Sequence, residues 1–178
     1  MYQSRRIERM TVVNQVSNNI PAEQSVIGGL LIDPMSGNAQ KVFPLLSPDD
    51  FYAVHHRLIY AEMRVMSRKR QPIDIITVDE ALSKSGMAQK VGGFAYLAEI
   101  AKNIPSAANI VSYAKSIKEC AAGCYTVEKT MEIQRLFTDA NALSFTDKID
   151  MEQRLVDDAV KFSRVKRPKC GFHNRPPR

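Results

Sequence analysis

Apolar residues recur at the three- and four-residue spacing of amphipathic helices along most of this chain. The first such stretch begins at Pro21, which suits the first helical position because its missing N–H is not needed there. Gly28 and Gly29 fall inside this predicted helix, where each costs about 1 kcal/mol relative to alanine. We therefore expect a second helix to approach closely at these glycines. The apolar face of the predicted helix consists of Val26, Ile27, Leu30 and Leu31.

A second helix is predicted after Ser47, which offers a hydroxyl cap and is followed by Pro48. Its apolar positions run from Phe51 to Met66, and its opposite face collects Arg57, Arg64 and Arg68. The basic run 68–70 is interpreted as a solvated helix end.

Two histidines are adjacent in the second predicted helix, at His55 and His56. Neighbouring helical positions point to different sides, so the pair is not expected to chelate one metal ion. Packing or capping roles are favoured for both side chains.

A third helix is predicted from the spacing of Thr77 and Glu80, which is typical of a capping box. Gly86 is expected to end it. The segment 73–78 is the best strand candidate in the sequence, but the capping box favours its entry into a helix. No other stretch shows the alternation of a strand, so the pattern predicts an all-α protein.

The middle of the chain, residues 90–118, predicts two helices that meet at a tight corner. Gly92 and Gly93 end one element, because glycine accepts backbone angles that other residues avoid. Phe94 and Leu97 begin an apolar helical stripe. Pro105 ends that helix, because the residue before proline is pushed away from the α region. We expect these five residues to form a structural motif.

Two long helices joined by a short turn are predicted after this corner. The first covers about 112–139, and the second runs from a cap at Thr146 or Asp147 through Lys161. Such a pair forms an αα-hairpin. The fold class is thus all-α, with a compact helical head followed by a long αα-hairpin.

Charge is concentrated at the C-terminal end of the chain. The net charge is +6, and seven basic residues follow Asp158, leaving −1 for the remainder. The body is therefore not expected to bind nucleic acid as a whole. The basic tail fits either a solvated terminus or nonspecific contact with DNA.

Composition fits a globular domain in a reducing compartment. Hydrophobic residues make up 44% of the sequence, enough for a real core, and no apolar run is long enough for a membrane span. Three cysteines, an odd number, fit the cytoplasm better than a disulfide framework.

The sequence contains few candidate catalytic or metal-binding motifs. None of the eight glycines lies in a phosphate-binding loop with the required Gly-Lys-Ser or Gly-Lys-Thr, so the chain by itself is not expected to hydrolyse ATP or unwind DNA. The residues after Arg164 are too few for an ATPase fold. A zinc site of three cysteines and a histidine is conceivable, but the spacing of the first two cysteines also fits a buried apolar stripe, and no metal site is predicted. The residues concerned are Cys120, Cys124, Cys170 and His173.

Four segments, in order, resemble the N-terminal domain of the DnaB-type replicative DNA helicases. They are Pro21 to Leu30, Asp50 to Tyr52 with His56 to Tyr60, Pro72 to Thr77, and Val91 to Ile100 with Asn103 to Ile110. The resemblance implies the same two-part helical architecture. With it, the chain divides into a helical head (19–110) and a helical hairpin (111–164). The polar residues before the head predict a loose leader (1–18), and the three prolines after the hairpin predict a basic disordered tail (165–178).

The resemblance also implies a function in DNA replication. In that family the domain carries no catalytic residues, and ATP and Mg²⁺ belong to a separate motor domain, so no cofactor is expected here. The domain self-associates as dimers in a hexameric collar, and its hairpin offers a surface to primase within the primosome. Carried over, the expected contact residues are Met131, Arg135, Leu136, Phe137, Leu155 and Phe162.

Two other functions stay open from the sequence. One is a nonspecific nucleic-acid-binding protein that acts through the basic tail, which would show steep salt dependence. The other is an interfering subunit that co-assembles with a full-length replicative helicase and blocks its ring.

Overall fold

The computed structural model describes residues 18–104, 107–139 and 143–164, and within those ranges it contains helices and no strand. The all-α prediction is confirmed. The leader before residue 18, the tail after residue 164 and Pro105 lie outside the described residues. The elements are α1 (Ile20–Ile32), α2 (Gly37–Leu45), a 3₁₀ helix (Pro48–Asp50), α3 (Val54–Arg68), α4 (Ile75–Lys84), α5 (Ala88–Val91), α6 (Gly93–Lys102), α7 (Ile110–Thr138) and α8 (Phe145–Arg164).

The chain divides into two compact units between Cys124 and Tyr125. We call the described residues up to Cys124 the head, and those from Tyr125 onward the hairpin unit. The division falls within α7, whereas the head and hairpin suggested by the resemblance meet near the start of that helix.

The head is built around α1, which is buried along nearly its whole length because it is apolar on almost every side. Its two glycines permit close packing, as expected. A Cβ atom at Gly28 would lie 2.7 Å from Cδ1 of Ile104, and one at Gly29 would lie 2.9 Å from Cδ1 of Ile110. The segment leading into α7 therefore approaches α1 more closely than a side chain would allow.

Two predicted helix starts are wrong by several residues. Ser47 begins only the short 3₁₀ helix, and α3 starts at Val54. The cap of α4 is Asp74, whose Oδ1 accepts hydrogen bonds of 2.9 Å from the backbone N–H groups of Ile76 and Thr77. Thr77 is therefore the third residue of the capping box, and its hydroxyl accepts from the N–H of Asp74.

The cap of α8 also lies earlier than predicted. Ser144 Oγ accepts a hydrogen bond of 3.2 Å from the N–H of Asp147, and the Asp147 carboxylate accepts from the N–H of Ser144 at 3.3 Å. Asp147 thus completes a capping box that Ser144 begins. Thr146, the other predicted cap, lies inside the first turn.

The corner at Gly92 and Gly93 has the backbone that the glycine pair predicted. Both residues have positive φ angles, 88° and 61°, which place α5 and α6 in succession without an intervening loop. Leu97 is fully buried on α6, as expected. Phe94 differs, because 52% of its surface is exposed in the first turn of α6. The buried face of α6 is formed instead by Leu97 and Ile100.

Replacing Gly93 by valine is expected to lower the free energy of unfolding by about 1–3 kcal/mol, because a β-branched residue at positive φ is strained. Denaturant unfolding followed by circular dichroism would measure the loss. Ala95→Val is the control, since Ala95 is exposed on the same helix and does not have a positive φ. Equal losses for the two variants would contradict the strain argument.

Candidate interaction surfaces

A buried carboxylate, Glu23 on α1, holds the beginning of α3 in place. Its Oε1 accepts a hydrogen bond of 2.7 Å from the backbone N–H of Tyr52. Its Oε2 accepts one of 3.3 Å from the N–H of Ala53 and lies 2.7 Å from Nδ1 of His56. Glu23 therefore satisfies donors at an otherwise uncapped helix start, where burial would make each unpaired group costly.

Both histidines of α3 reach one hydroxyl on α6. Nε2 of His56 lies 2.7 Å and Nε2 of His55 lies 3.0 Å from Tyr96 Oη. The expectation that the two side chains diverge is thus wrong, and their ring centroids are only 4.3 Å apart. Because His56 donates from Nδ1 to Glu23, its neutral form accepts the Tyr96 proton at Nε2. His55 then donates from Nε2 to the Tyr96 oxygen.

This network of Glu23, His55, His56 and Tyr96 is a structural element. Burial lowers the pKa of His55, the nearby His56 lowers it further, and Glu23 partly opposes the shift. The lowered pKa favours the neutral form of His55, which fits its place at the end of a chain of hydrogen bonds. Both nitrogens of His56 and both oxygens of Glu23 are used to join α1, α3 and α6.

The cysteines of α7 do not form a reactive or metal-binding site with the described residues. Burial raises the pKa of both Cys120 and Cys124, which favours the unreactive thiol. Within the ranges that the structure describes, no group of three or more histidine, cysteine or acidic residues could hold a metal ion. Cys170 and His173 lie outside those ranges.

The hairpin unit is held together by contacts between its two helices. Tyr125 stacks on Phe162 with ring centroids 4.3 Å apart, while the Phe137 and Phe145 rings lie 6.4 Å apart at the other end. The order of these two contacts along the chain shows that α7 and α8 run antiparallel. The inner faces are made of half-buried or buried residues at helical spacing: Tyr125, Lys129, Glu132 and Leu136 on α7, and Lys148, Glu152, Leu155, Ala159 and Phe162 on α8.

The six expected contact residues divide between the inside and the outside of the hairpin. Leu136, Leu155 and Phe162 are half-buried on its inner faces. Arg135 and Phe137 are exposed, and Met131 is half-buried on another side of α7. Only the exposed members offer a surface to another protein in this conformation.

A stripe of exposed apolar residues on α8 is the strongest candidate for an interface. Their spacing places Phe145, Ile149, Val156 and Val160 within about 60° of one another around the helix, roughly 90° from its inner face. Their exposed fractions are 73%, 43%, 41% and 38%. We call these four residues the α8 stripe. Among the described residues, no helix is long and apolar enough to cross a membrane.

The family model and the similar proteins all point to one family. The family model for the DnaB-like helicase N terminal domain matches residues 15–119. The replicative DNA helicase DnaB of Pasteurella multocida is 39% identical over 141 residues, which cover 72% of this chain and 30% of that protein. The DnaB of Haemophilus influenzae is 46% identical over 102 residues, covering 56% of this chain and 21% of that protein.

Solved structures agree with the sequence matches. The N-terminal domain of DnaB helicase from Mycobacterium tuberculosis superposes with a TM-score of 0.72 at 30% identity, covering 79% of this chain and 97% of that one. A DnaB-like replicative helicase, described with its interactions with primase, superposes with a TM-score of 0.60 at 21% identity and shows the shared fold. The superposed region covers 84% of this chain and 32% of that helicase.

The matched relatives are much longer than the matched region. This chain spans at most 30% of the two DnaB helicases, whereas it spans nearly all of the isolated N-terminal domain. The family model covers more than half of the chain, including the head with its Glu23 network and the glycine corner. The chain therefore belongs to the DnaB-like helicase N-terminal domain family.

Proposed function

We propose that this chain acts in DNA replication as a non-catalytic assembly and primase-docking domain of a replicative helicase, in the cytoplasm and as part of the primosome. The observation that carries the proposal is the α8 stripe. The family supports a role beside a helicase motor, and ATP and Mg²⁺ would be used by that motor. The expected contacts are with a second copy of the chain, in a dimer or hexameric collar, with primase, and with full-length helicase.

The α8 stripe leaves four apolar side chains exposed to water. Apolar surface left in water costs about 25 cal/mol per Å², and large exposed patches usually mark interfaces. The stripe runs along one helix, so a two-fold related copy could bury it against the same residues. Phe137 adds to the apolar surface at the turn of the hairpin, where its ring approaches that of Phe145.

Primase is the proposed partner of the assembled domain. The support is the similarity of fold to a DnaB-like helicase that has been described with its interactions with primase. Arg135 and Phe137 are exposed near the turn of the hairpin and are the sequence-predicted contact residues that remain available there. An aromatic and an arginine side chain at such a site are typical of interface anchors.

The double substitution Ile149→Asp/Val156→Asp is expected to convert the assembled chain to a monomer without loss of helix content. Two charges at the centre of the stripe would have to be desolvated in any dimer that buries it. Sedimentation velocity over a range of micromolar concentrations would show the change. Ile76→Asp is the matched control, because Ile76 is 63% exposed but lies on α4 in the head.

Three outcomes would decide the matter. Dissociation of the stripe variant alone supports assembly through α8. A wild-type chain that sediments as a monomer at every concentration, or a stripe variant that assembles like the wild type, would contradict it. Binding of purified primase, measured separately by co-sedimentation with the wild type and with Phe137→Asp, tests the docking part independently.

A further inference from the structure

Three arginines form a line along α3 in the head. Arg57, Arg64 and Arg68 are seven and four residues apart, which places them within about 40° of one another around the helix and spreads them over about 16 Å. Ala61 lies between them and adds neither bulk nor charge. Lys69 and Arg70 continue the positive charge beyond the end of the helix. We call Arg57, Arg64 and Arg68 the arginine stripe.

The arginine stripe has no carboxylate partner in the part of the chain that the structure describes. The ion pairs found there use other basic residues, namely His56, Lys84, Lys118, Lys129 and Lys161. The one acidic residue of α3, Glu62, is five positions from Arg57, so it lies about 140° away around the helix. The neighbouring charges therefore do not neutralise the stripe.

Arg57 carries a second sign of a missing anion. One of its terminal nitrogens, Nη2, donates a hydrogen bond of 3.1 Å to the carbonyl of Phe51. Its Nε is buried and, among the described residues, has no acceptor. A half-buried guanidinium without a counter-ion and with an unsatisfied N–H is unfavourable. An anionic oxygen beside the half-exposed Arg57 side chain would supply the missing counter-charge.

We propose that the arginine stripe binds the phosphate backbone of single-stranded nucleic acid. Guanidinium groups match phosphate geometry, and a line of three suits a linear polyanion rather than one isolated anion. Tyr52 follows Phe51, the residue whose carbonyl binds Arg57, and is 42% exposed. Proteins that bind single strands combine such a charged track with rings on which bases stack.

The contact lies on the head and is distinct from both the α8 stripe and the basic tail. The chain without its basic tail is close to neutral, so the contact depends on the local positive charge of the arginine stripe. An acidic polypeptide would be attracted by the same charges, but it would not use the exposed Tyr52 ring in the same way. The experiment must therefore separate nucleic acid from an acidic protein and the arginine stripe from the tail.

The test uses the full chain and a fluorescein-labelled oligothymidylate, with binding followed by fluorescence anisotropy. The variant Arg64→Gln/Arg68→Gln is expected to weaken binding by at least about tenfold at low salt. It should also reduce the slope of log affinity against log salt by about 1.4, since each single-strand phosphate contact contributes about 0.7. Lys84→Gln/Lys102→Gln is the control, because it removes the same charge from exposed positions elsewhere on the head.

Equal losses in the arginine and control variants would overturn the proposal. So would full loss of binding in Lys166→Gln/Arg167→Gln with no effect of the arginine variant, because the tail would then be the contact. A labelled polyglutamate that binds more tightly than the oligonucleotide, with the same loss on substitution, would assign the stripe to an acidic protein instead. Thermal melts confirm folding, and the exposed Arg68→Gln alone, with half the change in slope, serves if the double variant is unstable.

Discussion

Replacement of Glu23 by alanine is expected to lower the free energy of unfolding of the head by about 3–5 kcal/mol, because it removes the acceptor of three hydrogen bonds and each buried donor left unpaired costs about 1–3 kcal/mol. The carboxylate accepts hydrogen bonds from the N–H groups of Tyr52 and Ala53 and from Nδ1 of His56. The truncated side chain removes this acceptor from all three donors, two of which form buried hydrogen bonds. The same change removes the link between α1 and the start of α3.

Chemical unfolding followed by circular dichroism at neutral pH is the measurement. Glu99→Ala serves as the control, because Glu99 is exposed on α6 and should change stability by no more than about 0.5 kcal/mol. Glu23→Gln is expected to fall between the two, since its amide keeps one acceptor but turns an NH₂ group toward a donor. A Glu23→Ala transition that overlays that of Glu99→Ala would show that the network does not stabilise the fold.

The long periodic helices could be predicted because each repeats the same burial pattern over several turns. This holds for α7 and α8, and the glycine corner was predictable because few residues other than glycine adopt positive φ. The helix starts were harder to predict. Asp74 and Thr77 both suit a cap, and only the backbone contacts show that Asp74 accepts the hydrogen bonds. Helix α2 lacks a strong pattern, since only Ala39 and Val42 are buried and Pro44 lies inside it.

The Glu23 network could not be predicted because its members are distant in sequence. Glu23, His56 and Tyr96 come from three helices that meet only after folding. Each residue alone is compatible with an exposed surface position. The local rule that adjacent helical residues diverge fails here because one hydroxyl on α6 lies within reach of both histidine side chains.

The apolar residues of the α8 stripe follow a helical pattern in the sequence, but the pattern does not show whether they face α7 or the solvent. The helix has apolar residues on two faces, one with Leu155 and Phe162 and one with Ile149 and Val156. Periodicity marks both faces as apolar, but it does not say which face packs inside the hairpin. The stacking of Phe162 on Tyr125 settles the inner face and leaves the α8 stripe exposed.

A second buried carboxylate, Asp50, joins the 3₁₀ helix to α7 within the head. Nζ of Lys118 donates to its two oxygens at 2.7 and 2.8 Å. Its Oδ2 also accepts a hydrogen bond of 2.7 Å from the backbone N–H of Ser47. The Asp50 side chain is fully buried and that of Lys118 is 21% exposed, so water screens the pair less than it would on the surface.

Asp50→Ala is expected to lower the free energy of unfolding by about 3–5 kcal/mol, because it leaves the Lys118 ammonium and the Ser47 N–H without this partner. Lys118→Met should cost less than Asp50→Ala, since Asp50 keeps its hydrogen bonds to Ser47. The double variant is then expected to be more stable than the sum of the single losses predicts, by about 1–3 kcal/mol. Urea unfolding of the four proteins completes the cycle. Strictly additive losses would mean that the short distance between Lys118 and Asp50 contributes no coupling. Helix α7 would then be held on the head by its other contacts, among them the apolar contacts of Ile110, Ala114 and Ile117 and the hydrogen bond from Asn19 to Ser116.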